Sequence, residues 1–135
     1  MMFAVVACND VHAFEGTWQG PRVGDTPVLR VGVPTSASAT LAIDAVDTHG
    51  MRGKMSISGL VVNAPFVSVE GAEADALSNI SLGGAPLRVY LAFVAIPDNG
   101  GEALAVIALF DGRIEVRILR GGAKPLYAIF ALAEG

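Results

Sequence analysis

Hydrophobic and polar residues alternate along most of this chain. In FEGTWQG, Phe14, Gly16, Trp18 and Gly20 fall on one side of an extended segment, and Glu15, Thr17 and Gln19 on the other. Successive strand side chains point to opposite faces, so this rhythm predicts a half-buried strand with its tryptophan inward. Glycines within it allow a second backbone or a large ring to come close. The same rhythm recurs in PVLRVGV (Leu29, Val31, Val33 against Val28, Arg30, Gly32) and in SATLAIDA (Ala39, Leu41, Ile43 against Ser38, Thr40, Asp44). It continues in MRGKMSIS (Met51, Met55, Ile57), FVSVE (Val67, Val69 against Ser68, Glu70) and RIEVRI (Ile114, Val116, Ile118 against Arg113, Glu115, Arg117). Each reads as one dry and one wet face, the signature of an antiparallel sheet.

Three later segments are apolar on both faces: LRVYLAFVAI (87–96), ALAVIALF (103–110) and LYAIFALA (126–133). ALAVIALF fits a buried helix by composition, but its short length, its Val and Ile, and the hairpin signals on either side favour a strand. AEADAL (72–77) is the best candidate for a single helical turn. Turn residues separate the segments: Asp47-Thr48-His49-Gly50, Gly83-Gly84, Pro97 to Gly101, Asp111-Gly112 and Gly121-Gly122. They tolerate positive φ or bond to their own backbone. About eight to ten short strands with local connections predict an all-β fold, an antiparallel up-and-down barrel, with a β-sandwich or jelly roll as the alternative. Closure removes the edges that so apolar a sheet would otherwise expose. The doubly apolar strands then need cover on their outer faces, either from a second copy in a homo-oligomer or from a folded-back N-terminal arm.

The chain has 135 residues, enough for one domain with a real core. Residues 1–13 read as an N-terminal arm, a first strand or the remnant of an export signal, and 14–135 as a single barrel domain. Hydrophobic residues make up 53% and charged residues only 16%, against about 25% charged in an average globular chain. Some apolar surface must therefore meet a partner, a ligand or a lipid phase. The net charge of −4 gives no basic footprint for nucleic acid. No apolar run approaches the ~20 residues of a membrane-spanning helix, and nine scattered aromatics do not make the girdles of a membrane barrel.

The opening MMFAVVACNDVHA has two readings. Val5-Val6-Ala7-Cys8 resembles a lipobox, which would lipidate Cys8 and provide a lipid anchor, and Val11-His12-Ala13 resembles a small-residue cleavage site. The compartment would then be periplasmic or extracellular, and cytoplasmic otherwise. No Lys or Arg precedes the run, and it is short for a signal. In the second reading it is a strand or ordered arm with Cys8 as a small buried hydrophobe.

Gly16-Thr17-Trp18 resembles the G-x-W element on the first strand of calycin barrels, the group of lipocalins and avidin-like proteins. That resemblance implies a barrel with the tryptophan plugging one end and a small apolar ligand taken at the other. Lipocalins also place an arginine near the chain end, over the tryptophan. Here the last strand has none, and Arg117 and Arg120 are the nearest candidates. Avidin-like sites use further tryptophans, which this chain lacks. An eight-stranded barrel is just wide enough to be filled by side chains or to hold one small ligand. The residues that would line such a cup are Trp18, Leu29, Val31, Leu41, Ile43, Met55, Ile57, Phe93, Val116 and Phe130.

Catalytic signatures are sparse. There is no G-x-S-x-G, Walker A or G-x-G-x-x-G. Asp44, Asp47 and His49 in DAVDTH match no metal-ligand spacing and read as a polar loop. Asp98 and Glu102 around NGG carry too few oxygen donors for calcium and read as a hairpin turn. A Cys8–His12 pair would be nucleophilic only with the right geometry. Arg113, Arg117, Arg120 and Lys124 read as a solvated strand face, and Asn79-Ile80-Ser81 is a glycosylation sequon. No catalytic residue, metal or cofactor is expected. Two functions remain in view: binding of a small hydrophobic molecule inside the barrel, or an oligomeric structural, interaction or inhibitor module with a packed interior. A barrel enzyme with Tyr90 or Tyr127 beside a carboxylate in the cup is a third.

Overall fold

A computed structural model describes residues 11–23, 32–33, 36–70 and 86–135. A short 3-10 turn, Val11–Phe14, leads into eight strands. They are β1 (Gly16–Val23), β2 (Ser38–Val46), β3 (Gly50–Ile57), β4 (Val61–Glu70), β5 (Arg88–Ala95), β6 (Glu102–Phe110), β7 (Arg113–Arg120) and β8 (Leu126–Glu134). Each pairs antiparallel with the next in sequence, and β8 returns to β1, giving a closed up-and-down barrel. ALAVIALF lies in strand β6, in register with β5 from Ala103 to Leu109.

The two-residue rhythm sets the wall's inner face. Leu41 stands opposite Trp18 and Met55, and Phe130 opposite Val116. These side chains join one continuous buried cluster running from Val11 to Leu132. At Gly53 the wall is too tight for any side chain, since a Cβ there would lie 2.0 Å from the Ala42 carbonyl oxygen. Gly53 faces Ile43 beside a β-bulge in β2, where the register shifts between Ile43 and Ala45. A second shift, between Met55 and Ile57, coincides with Asn63 at φ 50, a conformation Asn tolerates better than most residues. The Ser56 hydroxyl holds this residue by accepting the Asn63 N–H at 2.8 Å.

The seams are not equal. Six of the eight carry ladders of six or more paired positions, β1–β8 has four, and β4–β5 is paired only at Val69–Leu91 and Glu70–Tyr90.

Several sequence expectations are corrected. Of PVLRVGV, Gly32 and Val33 lie in turns rather than a strand, and the barrel closes without them because β1 bonds directly to β2; residues 27–31 lie outside the described residues. So do AEADAL, the sequon at 79–81 and the segment 1–10 with its lipobox. In FVSVE the faces are the reverse of those expected. Phe66 and Ser68 point inward, with Ser68 only 1% exposed, while Val67 and Val69 stand 75% and 61% exposed on the outside. The basic stripe is not a solvated face either: Arg117 is 2% exposed and Glu115 is buried beside it. Around them, the outward-facing Val89, Val106, Ala108 and Phe110 form a second buried cluster with Leu91, Leu104 and Leu119. This half of the outer wall is therefore buried rather than solvated, with Leu91, Leu104 and Leu119 partly so.

Candidate functional site

Seven of the ten residues expected to line a cup do converge. Trp18, Leu41, Ile43, Met55, Ile57, Val116 and Phe130 all face the barrel axis, each 4% exposed or less, and all belong to the same cluster. They form one buried cluster inside the wall together with Tyr90, Ile107 and Leu132. Phe93 does not join them. It lies on the outer face of β5, 65% exposed, because the inward positions of that strand are Tyr90, Ala92 and Val94. Leu29, Val31 and Cys8 lie outside the described residues.

Trp18 closes one end. Its ring stacks on Phe14, centroids 5.5 Å apart at 28°, and its indole N–H donates to the Phe14 carbonyl at 2.9 Å. The 3-10 turn is thereby folded under the barrel as a lid with Val11 and Phe14 in the core. Glu15 fastens the lid: its carboxylate accepts the Val46 N–H at 3.2 Å and meets His12 Nδ1 at 3.2 Å. Those two contacts, His12 first, hold the Glu15 carboxyl below its ordinary range. Next to it, Asp47 accepts the N–H groups of His49 and Gly50 at 2.8 and 3.0 Å, which lowers its pKa as well. The Tyr90 hydroxyl donates to the Asp47 main-chain carbonyl at 2.6 Å, and burial pushes its pKa up.

A surface cleft of about 400 Å³ lies here, lined among others by His12, Glu15, Asp47, His49 and Arg52. Its two carboxylates are committed to backbone donors that lock a turn and a lid, and both are held ionised. They are hydrogen-bond anchors rather than proton donors. Among the described residues, no three His, Cys, Asp or Glu side chains are placed to hold a metal ion.

The opposite end carries a bidentate ion pair. Arg120 meets Asp98 through two nitrogens at 2.9 and 2.6 Å, and also donates to the carbonyls of Gly101 and Lys124. Lys124 bonds in turn to the Asp98 carbonyl. The guanidinium, helped by the Gly100 N–H, holds the Asp98 carboxyl down to about 2. This network ties the β5–β6 hairpin to the β7–β8 hairpin. Asp98 thus serves a turn clamp, and Arg120 lies at the far end from Trp18 rather than over it. Arg117 is not over Trp18 either, since it faces outward from β7.

The sequence reading missed the outer face of β4 and β5. Val62, Val67, Val69 and Phe93 are the largest exposed apolar groups there, 61–80% exposed. Val67 and Phe93 share a cleft of about 320 Å³ with Asp44, Arg52, Lys54 and Pro65. A second cleft, of about 550 Å³, lies where the β4–β5 pairing is missing, between Leu60, Val61, Val62, Pro65, Ala95 and Pro97. The available signal was Ser68, a hydroxyl that reaches the core by donating to the Met51 carbonyl at 3.1 Å, which fixes its valine neighbours outside.

The geometry defines an eight-stranded up-and-down barrel with a plugged end, inward side chains gathered in one buried cluster and an apolar outer face on β4 and β5. Compared with protein-family models, curated proteins and solved structures, the chain matches none. No helix among the described residues is long and apolar enough to cross a membrane.

Proposed function

We propose that this protein is a non-enzymatic interaction module, a calycin-type barrel whose cup is filled by its own side chains and whose contacts are made through the outer face of β4 and β5. The contrast between inside and outside carries the reading. Seven of the eight described positions expected to touch a ligand are 4% exposed or less inside the wall, whereas four large apolar groups, Phe93 among them, face solvent on one side of it. A binding pocket of the usual kind needs a few hundred Å³ of enclosed space. The clefts here lie instead at the rims and on the outer wall. The lid formed by Trp18 and Phe14 supports the calycin-type reading, because it blocks the end where the G-x-W element of that group sits.

Native mass spectrometry of protein purified from its own host tests this. The native mass should be a whole multiple of the denatured polypeptide mass with nothing left over, and any covalent lipid should appear in both. A stoichiometric small molecule present in the native spectrum and lost on denaturation would replace this reading with ligand binding inside the barrel.

A further inference from the structure

We infer that the β4–β5 outer face docks a second copy of this chain, face to face across a two-fold axis running parallel to the strands. The inference rests on the reading of the molecule as an interaction module and names its partner.

The argument starts from the register. Lys54 pairs with Pro65, and Arg52 with Val67. On the other side of the seam Ala95 pairs with Glu102, and Phe93 with Leu104. Beyond the Val69–Leu91 pair the two strands are not hydrogen-bonded, but Pro65 and Ala95 line one cleft across the seam and Val67 and Phe93 line another. The outer wall therefore reads in rows. One row runs Lys54, Pro65, Ala95, Glu102, and the next runs Arg52, Val67, Phe93, Leu104. The apolar middle is flanked by Arg52 and Lys54 on β3, with Asp44 beyond them, and by exposed Glu102 on β6.

The first of these rows is self-complementary, while the second sets Arg52 of one copy over Leu104 of the other. A two-fold axis lying over the seam keeps each row level but exchanges its ends, so the Lys54 of one copy meets the Glu102 of the other, twice. An isologous interface requires this property: the same patch must complement itself. The apolar centres then bury each other. Four side chains of this size exposed to this degree offer on the order of 500 Å² of apolar surface, and with the flanking row ends the face approaches the roughly 800 Å² per partner of a stable interface.

Sedimentation velocity over a wide concentration range tests the inference on the full chain. Wild type should sediment as a dimer. Phe93→Lys should be monomeric with an unchanged far-ultraviolet circular dichroism spectrum, since Phe93 supports nothing inside the wall. Lys54→Glu or Glu102→Lys alone should weaken the dimer by about tenfold or more, and the two together should restore it, which no effect on folding would produce. A monomeric wild type at every concentration would overturn the inference, as would a Phe93→Lys dimer or a double reversal no tighter than the singles. Neither outcome touches the ligand-free interior, which the native mass spectrum decides separately.

Discussion

Replacing Phe130 by alanine separates a filled barrel from a cup. Phe130 is fully buried on β8, opposite Val116 on β7 and Arg22 on β1. Removing its ring from a packed interior vacates about 100 Å³, worth about 2.4 kcal/mol at about 24 cal/mol per Å³, with the lost transfer energy of the ring in addition. The expected total is about 4 kcal/mol. Against an overall stability of about 5–15 kcal/mol the variant should still fold. Urea unfolding reads the difference, followed by the fluorescence of Trp18, the only tryptophan. The midpoint should fall with little change in the slope, because the surface exposed on unfolding barely alters. If Phe130 lined a pre-existing hollow, one side of the ring would already lack partners and the cost would shrink. A loss below about 1.5 kcal/mol would refute the packed interior.

Three further outcomes follow from the same geometry. Trp18→Phe keeps a ring to stack on Phe14 but leaves the Phe14 carbonyl without the indole N–H, which should cost about 1–2 kcal/mol in the same urea assay; a neutral result would remove the bond from the lid's account. Asp98 is held at about 2 when folded and returns to its ordinary 3.8 when unfolded, so its ionised form stabilises the fold fully above that range. That contribution should drain away as pH falls from about 4 toward 2, and Asp98→Asn should start less stable at neutral pH and lose less over that window. Hydrogen exchange by NMR should find the amide of Val67, which faces the β4–β5 seam, faster than that of Phe66, which faces β3, and faster than those of Ile107 and Val116, because β4 and β5 share only two paired positions. Equal protection would mean that the seam is closed in solution.

How legible this was depended on whether each segment carried a polar marker. β2, β3 and β7 did, and their inward residues Leu41, Ile43, Met55, Ile57 and Val116 could be read from alternation alone. The hairpins at Asp98–Gly101 and Asp111-Gly112 were equally plain, since their glycines sit at φ 90 and 77. Phe93 was not. LRVYLAFVAI is apolar on both faces, so nothing local says which set turns inward, and only pairing with β6 decides it. FVSVE failed for a sharper reason. Hydrophobicity put its valines inside, but register with β3 put Ser68 there, where a single bond to the Met51 carbonyl satisfies it. Such a conflict between local preference and fold tends to mark a surface kept for another purpose. Arg117 escaped because burial of an outer face depends on chain far away in sequence. Phe14 was read as part of a strand, yet it caps Trp18 from a 3-10 turn; the glycine that separates them, Gly16 at φ 128, was the available clue.

The central claim is that the barrel holds nothing but its own side chains. Methyl NMR of the wild-type protein titrated with benzene tests it most directly, with Leu41, Ile43, Ile57 and Ile107 as interior reporters. The account predicts that these methyl signals stay where they are, with any shifts confined to Val67, Val69 and their neighbours on the outer wall. Saturable movement of the interior methyls would show an open cavity and contradict it.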